Sequence, residues 1–60
     1  MSKEKYAQAL ADNHQHKNLE KLQEIIVRRL IEDYDVDYHE ASAIALEYSL
    51  SVKNKQQVQK

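Results

Sequence analysis

Three carboxylates at alternate positions, Asp33, Asp35 and Asp37 in the stretch DYDVDYHE, are the side chains of this sequence best spaced for chemistry. Their spacing matches the opening oxygen ligands of a helix–loop–helix calcium site. Such a loop also needs Gly at its sixth position for the sharp turn and a bidentate Glu at its twelfth. Counted from Asp33, those positions hold Tyr38 and Ile44, so the calcium reading fails at both. The stretch reads better as a junction between helices. Asp37 caps the second of them, and Glu40, three residues on, completes a capping box and complements the helix dipole.

The remaining candidates fare no better. His14 and His16 lie two residues apart, on the same side only of an extended segment. Zinc sites take three or four ligands; no Cys is available to complete one, and His39 is remote in sequence. The histidines are left with a modest pH response near neutrality. Ser42, Ser49 and Ser51 fall inside a helical pattern, and without any Gly neither a nucleophile elbow nor a phosphate loop can form. The acids from Glu32 to Glu40 have no deep cleft to shift their acidity in so short a helical chain. No catalytic, cofactor-binding or metal-binding residue is assigned, and the expectation is a protein that is not an enzyme.

The elements that carry these residues are helices. Ala, Leu, Glu, Lys and Gln are strong helix formers. Gly and Pro are both absent, which disfavours the tight hairpins of an all-β fold. A short helix is expected over about 3–12, with Ser2 as its cap and Tyr6 and Leu10 on one face. The polar run NHQHKN, residues 13–18, is a joint, with Asn18 capping the second helix. Over about 19–34, Leu19, Leu22, Ile26, Val27, Leu30, Ile31 and Tyr34 share a face at 3.6-residue periodicity. Lys21, Glu24, Arg28 and Glu32 take the opposite side as a solvated face. After a turn at 35–37, the helix at about 38–54 carries two apolar stripes. The larger holds Tyr38, Ala41, Ile44, Ala45, Tyr48 and Val52; the smaller holds Ala43, Leu46 and Leu50. Residues 55–60 are expected to fray into a tail. Ile26, Leu30, Ile44 and Tyr48 are the expected core.

Sixty residues make one small domain, near the size at which a single core barely suffices, and no disulfide can staple it. The predicted fold is therefore all-α: an antiparallel helical hairpin with a short additional N-terminal helix, pairing into a dimeric four-helix-type bundle. No apolar stretch is long enough to span a bilayer, and no secretory signal is evident, so a cytoplasmic location is expected.

Folding the hairpin separates charge that the sequence nearly cancels, the net being −1. Acids from Glu32 to Glu40 gather at the turn, while Lys17, Lys21, Lys53 and Lys55 gather at the far pole. The function expected is a protein–protein interaction module: a regulator, inhibitor or adaptor that binds another protein and forms a homodimer. Its contact residues are expected to be Tyr6, Leu10, Leu46 and Leu50. The rival is a nucleic-acid-binding regulator whose four pole lysines contact phosphates. Against the rival, Arg28 and Arg29 are interleaved with acids, and no aromatic residue accompanies the lysines to stack on bases.

Overall fold

Each helix begins and ends for a local chemical reason. In a computed structural model that describes the backbone of residues 2–58 and the side chains of residues 2–55, three helices form. Helix α1 spans Lys3–Asn13, α2 spans Leu19–Tyr34 and α3 spans Tyr38–Val58. Ser2 caps α1 by accepting from the Lys5 N–H at 3.2 Å, and Asn18 caps α2 by accepting from the Lys21 N–H at 2.8 Å. Asp37 accepts from the His39 N–H at 2.9 Å at the start of α3. Each side chain satisfies a first-turn donor that has no partner within its own helix.

Two boundaries differ from the expectation. The joint is shorter, because α1 continues through Asn13 and closes at His14, whose N–H donates to the Leu10 carbonyl at 3.0 Å. The expected tail begins too early: residues 55–58 are helical, and of that segment only 59 and 60 lie outside the described residues. A helix already nucleated along its inner face propagates through Lys and Gln at little cost, and no Gly or Pro stops it.

The α2–α3 turn is the one place among the described residues where the backbone enters the left-handed region. Asp35 sits at φ 54°, ψ 38°, donating its N–H to the Ile31 carbonyl at 3.1 Å. Gly usually fills this position, and Asp is one of the few other residues that enter it readily. The N–H of Val36 reaches back to the Leu30 carbonyl at 3.4 Å, and its side chain is buried beneath the turn.

The helices run up, down and up. Lys3 pairs with Glu40 and Lys53 reaches the joint after α1, so α1 lies parallel to α3. Tyr6 meets Asp33 and Tyr34, so α1 lies antiparallel to α2. The additional helix is thus the third member of a bundle and covers one side of the hairpin. Its Ala7, Leu10 and Ala11 join Leu22, Ile26 and Leu30 of α2 and Ala41, Ile44, Ala45 and Val52 of α3 in one core. Ile26, Leu30 and Ile44 are buried as expected, and Tyr48 packs half-buried against them. The core is asymmetric. Helix α2 brings large side chains, while α3 brings the small row Ala41, Ala45 and Ser49, each fully buried. The Ser49 hydroxyl donates to the Leu46 carbonyl at 3.1 Å, so its burial leaves no unsatisfied group.

Candidate functional site

The acidic stretch is used by the fold. Asp33 accepts from the Tyr6 hydroxyl, Asp35 closes α2 and Asp37 caps α3. Glu40 does not complete the capping box through its side chain as expected; it forms an ion pair with Lys3, 37 residues away, and ties α1 to α3. Among the described residues, no group of three or more His, Cys, Asp or Glu side chains could hold a metal ion. The hydrogen bond from Tyr6 to Asp33 holds the phenol above its usual value near 10, chiefly because the neutral form donates to a carboxylate. Lys3 is likewise held above 10.5, chiefly by its hydrogen bond to Glu40.

The sequence-derived contact residues divide into two groups. Tyr6 is half-buried, its ring 5.1 Å from that of Tyr34 and tilted 38° to it. Leu10 is only 9% exposed and belongs to the core. The expectation of Leu10 as a contact residue is therefore corrected: with α1 packed along the hairpin, this side chain turns inward. Leu46 and Leu50 are the opposite case, 49% and 40% exposed on the outer face of α3.

The lysine pole is also altered by folding. The Lys53 ammonium donates to the carbonyls of Gln15 at 3.0 Å and Lys17 at 2.6 Å, closing the joint between α1 and α2. Carbonyls left without helical partners gather there, so a cation at that position is stabilising. Lys21 and Lys55 are exposed, and Lys17 is half-buried. An open concavity of about 530 Å³ at this pole is lined by His16, Lys17, Asn18 and Lys21 with Glu24 and Ile25. Beside it lies one of about 590 Å³ lined by charges of both signs, including Lys21, Arg28 and Arg29 with Glu24 and Glu32. Glu24 lines both, so neither presents a single sign to a phosphate backbone.

A different surface emerges from the apolar residues that the core leaves out. Five large ones are exposed among the described residues: Ile31, Tyr34, Tyr38, Leu46 and Leu50. Four of them fall on two rows spaced by four. Val27 and Ile31 form one row on α2; Tyr38, Ser42, Leu46 and Leu50 form the other on α3. Rows at this spacing are the ridges by which helices interlock. Between them runs an open groove of about 450 Å³, lined by Val27, Ile31, Tyr38, Ser42 and Ala45 with Glu20, Glu24 and Arg28 at its edge. Leu46 and Leu50 carry the α3 ridge onward to the outer face. Sequence reasoning reaches Leu46 and Leu50 but misses Ile31 and Tyr38, assigning both to the inner stripes. The four-residue spacing Tyr38–Ser42–Leu46–Leu50 is the signal that could have joined them.

No helix among the described residues is long and apolar enough to cross a membrane. No known protein family, curated protein or solved structure matches the chain.

Proposed function

We propose that this chain is a small non-enzymatic protein–protein interaction module, a regulator, inhibitor or adaptor, that contacts other protein through the α2–α3 face. One observation carries the reading. Helix α3 buries a full inner face, Ala41, Ile44, Ala45, Ser49 and Val52, and still presents Leu46 and Leu50 outward. A surface helix with a single job shows one apolar stripe; the second stripe calls for a second surface to cover it. Adjacent ridges with a groove between them are suited to receiving a helix.

The rival reading through Lys17, Lys21, Lys53 and Lys55 is weakened by the engagement of Lys53 with backbone carbonyls. The test is the double substitution Leu46→Asp with Leu50→Asp. Both positions lie outside the core, so helical content measured by circular dichroism should persist, while self-association and binding of amphipathic helical peptides disappear. A folded variant that retains both would overturn the reading.

A further inference from the structure

We infer that the occupant of the α2–α3 face is a second copy of this chain, related by a two-fold axis that lies in the face and crosses the groove at right angles to the helices. The inference rests on the reading of that face as a contact surface and adds its partner and orientation.

The first argument is self-complementarity. A two-fold in this position lays α2 antiparallel on α2 of the second copy and α3 antiparallel on α3, one isologous contact made from the same patch twice. Placed at the axis, Val27 and Leu46 each meet their own counterpart. Leu50, four residues from Leu46, then falls opposite Ser42 of the second copy, the one small residue in the α3 ridge. A large side chain facing a small one is how two ridges interlock. Ile31, Leu46 and Leu50, exposed in one chain, are covered by this single operation. With α1 on the opposite side of each hairpin, α2 and α3 of both copies form the centre and the two α1 helices lie outside.

The second argument is charge, and it fixes the direction. At the turn end stand Glu32, Asp33, Asp35, Asp37 and Glu40, together with Glu4, against Lys3, Lys5 and Arg29. At the joint end stand Lys17, Lys21, Lys53 and Lys55, against Asp12 and Glu20. The long dimension of the molecule is 38 Å, well beyond the ~8 Å over which salt screens charge, so the two ends act separately. The perpendicular two-fold lays the acidic end of each copy on the basic end of the other. A two-fold running along the groove would instead set α2 on α3 of the second copy and keep each end beside its own counterpart, with like charge on like at both ends.

The third argument is size. The molecule measures 38 × 22 × 15 Å, so one broad side is of the order of the surface that a stable dimer covers, about 800 Å² per partner. A chain of sixty residues without disulfides gains in return the apolar burial that its own core cannot supply.

The test is sedimentation of the whole chain from micromolar to near-millimolar concentration, at low and high salt. One variant, Lys21→Glu with Lys55→Glu, makes both ends acidic. A second, Glu32→Lys with Asp35→Asn, makes the turn end less acidic and keeps a residue that tolerates the left-handed conformation. Each alone should dimerise on the order of tenfold more weakly at low salt. Mixed in equal amounts, they should associate as a heterodimer more strongly than either does alone. The acidic turn end of the first meets the basic joint end of the second, and the remaining contact sets an acidic end on one whose charge is largely removed. Rescue on mixing, with both variants folded by circular dichroism, supports the inference, since damage to a fold is not repaired by a second damaged chain. Dimers that form without rescue on mixing overturn the antiparallel two-fold. A wild-type monomer throughout the range overturns the second copy; if it binds an amphipathic helical peptide and loses it on Leu46→Asp, the contact surface still stands. A dimer unaffected by Leu46→Asp overturns both.

Discussion

Helices α2 and α3 are neighbours of similar apolar content, yet they use it differently. Helix α2 buries Leu22, Ile26 and Leu30 completely and turns Glu24, Arg29 and Glu32 outward. Its ends are committed too, to the Asn18 cap at one and to Asp33 and Asp35 at the other. Apart from Val27 and Ile31 on the groove side, the single chain accounts for its sequence. Helix α3 contributes Ile44 and Val52 to the core beside the small Ala41, Ala45 and Ser49, which let the other helices approach closely, and places its leucines outside. Large side chains pointing inward are explained by folding; those pointing outward need another partner. The lesson is that side-chain size, and not apolar content alone, separates the two duties.

The sharpest way to break that comparison is to truncate one residue from each class. Ile26→Ala opens a cavity in a fully buried site and should cost about 2–5 kcal/mol of stability. Leu46→Ala, measured at concentrations low enough to keep the chain monomeric, should change stability by about 0.5 kcal/mol or less. Urea unfolding of both variants supplies the numbers. If Leu46→Ala costs as much as Ile26→Ala, the outer leucine is a core residue and the distinction between the helices collapses.

A second prediction concerns how α1 is held against the hairpin. The Tyr6 hydroxyl bonds to Asp33 and the Lys3 ammonium pairs with Glu40, and both titrating groups are held above their usual values of 10.0 and 10.5. A raised folded value favours the protonated form in the native state. The stability it contributes is therefore complete below pH ~10 and is lost as pH rises through the folded values. Alkaline titration should release α1 before the hairpin melts, seen as partial loss of helical circular dichroism. Asp33→Ala should move the Tyr6 phenolate transition back toward 10. If that transition stays where it is, the hydrogen bond does not hold the phenol up, and burial against Tyr34 must be the cause.

The parts of this structure that could be read from the sequence are those set by neighbours along the chain. The caps at Ser2, Asn18 and Asp37 follow from residue type and position, and the inner face of α2 follows from an unbroken 3.6-residue period. The path of α1 was not readable, because its ties to Asp33, Glu40 and Lys53 span 27, 37 and 36–38 residues and leave no local trace. For the same reason Leu10 looked like a free contact and Lys53 like a free cation. Leu46 and Leu50 were readable as a second stripe on α3, but the groove was not: its other wall, Val27 and Ile31, belongs to a different helix whose register is set only on folding.

The smallest expected effect tests whether α2 is as fully committed to the fold at its end as along its length. Asp35 occupies a left-handed conformation that costs an L-residue with a Cβ more than it costs Gly. Asp35→Gly relieves that cost but gives the unfolded chain more freedom, so the net gain should be on the order of 0.5 kcal/mol. Asp35→Val, with a branched Cβ that fits the left-handed region poorly, should lose more than Gly gains. Thermal melts of the pair read the difference without disturbing any side chain of the groove. A gain from Gly with unchanged association would mean that the turn alone accounts for this residue, and that α2 is committed to folding at its end as well. A gain from Gly with weaker dimerisation would mean the reverse. The carboxylate that Gly removes stands at the acidic end, so a more stable chain that pairs less well would separate the residue's contribution to folding from its contribution to pairing.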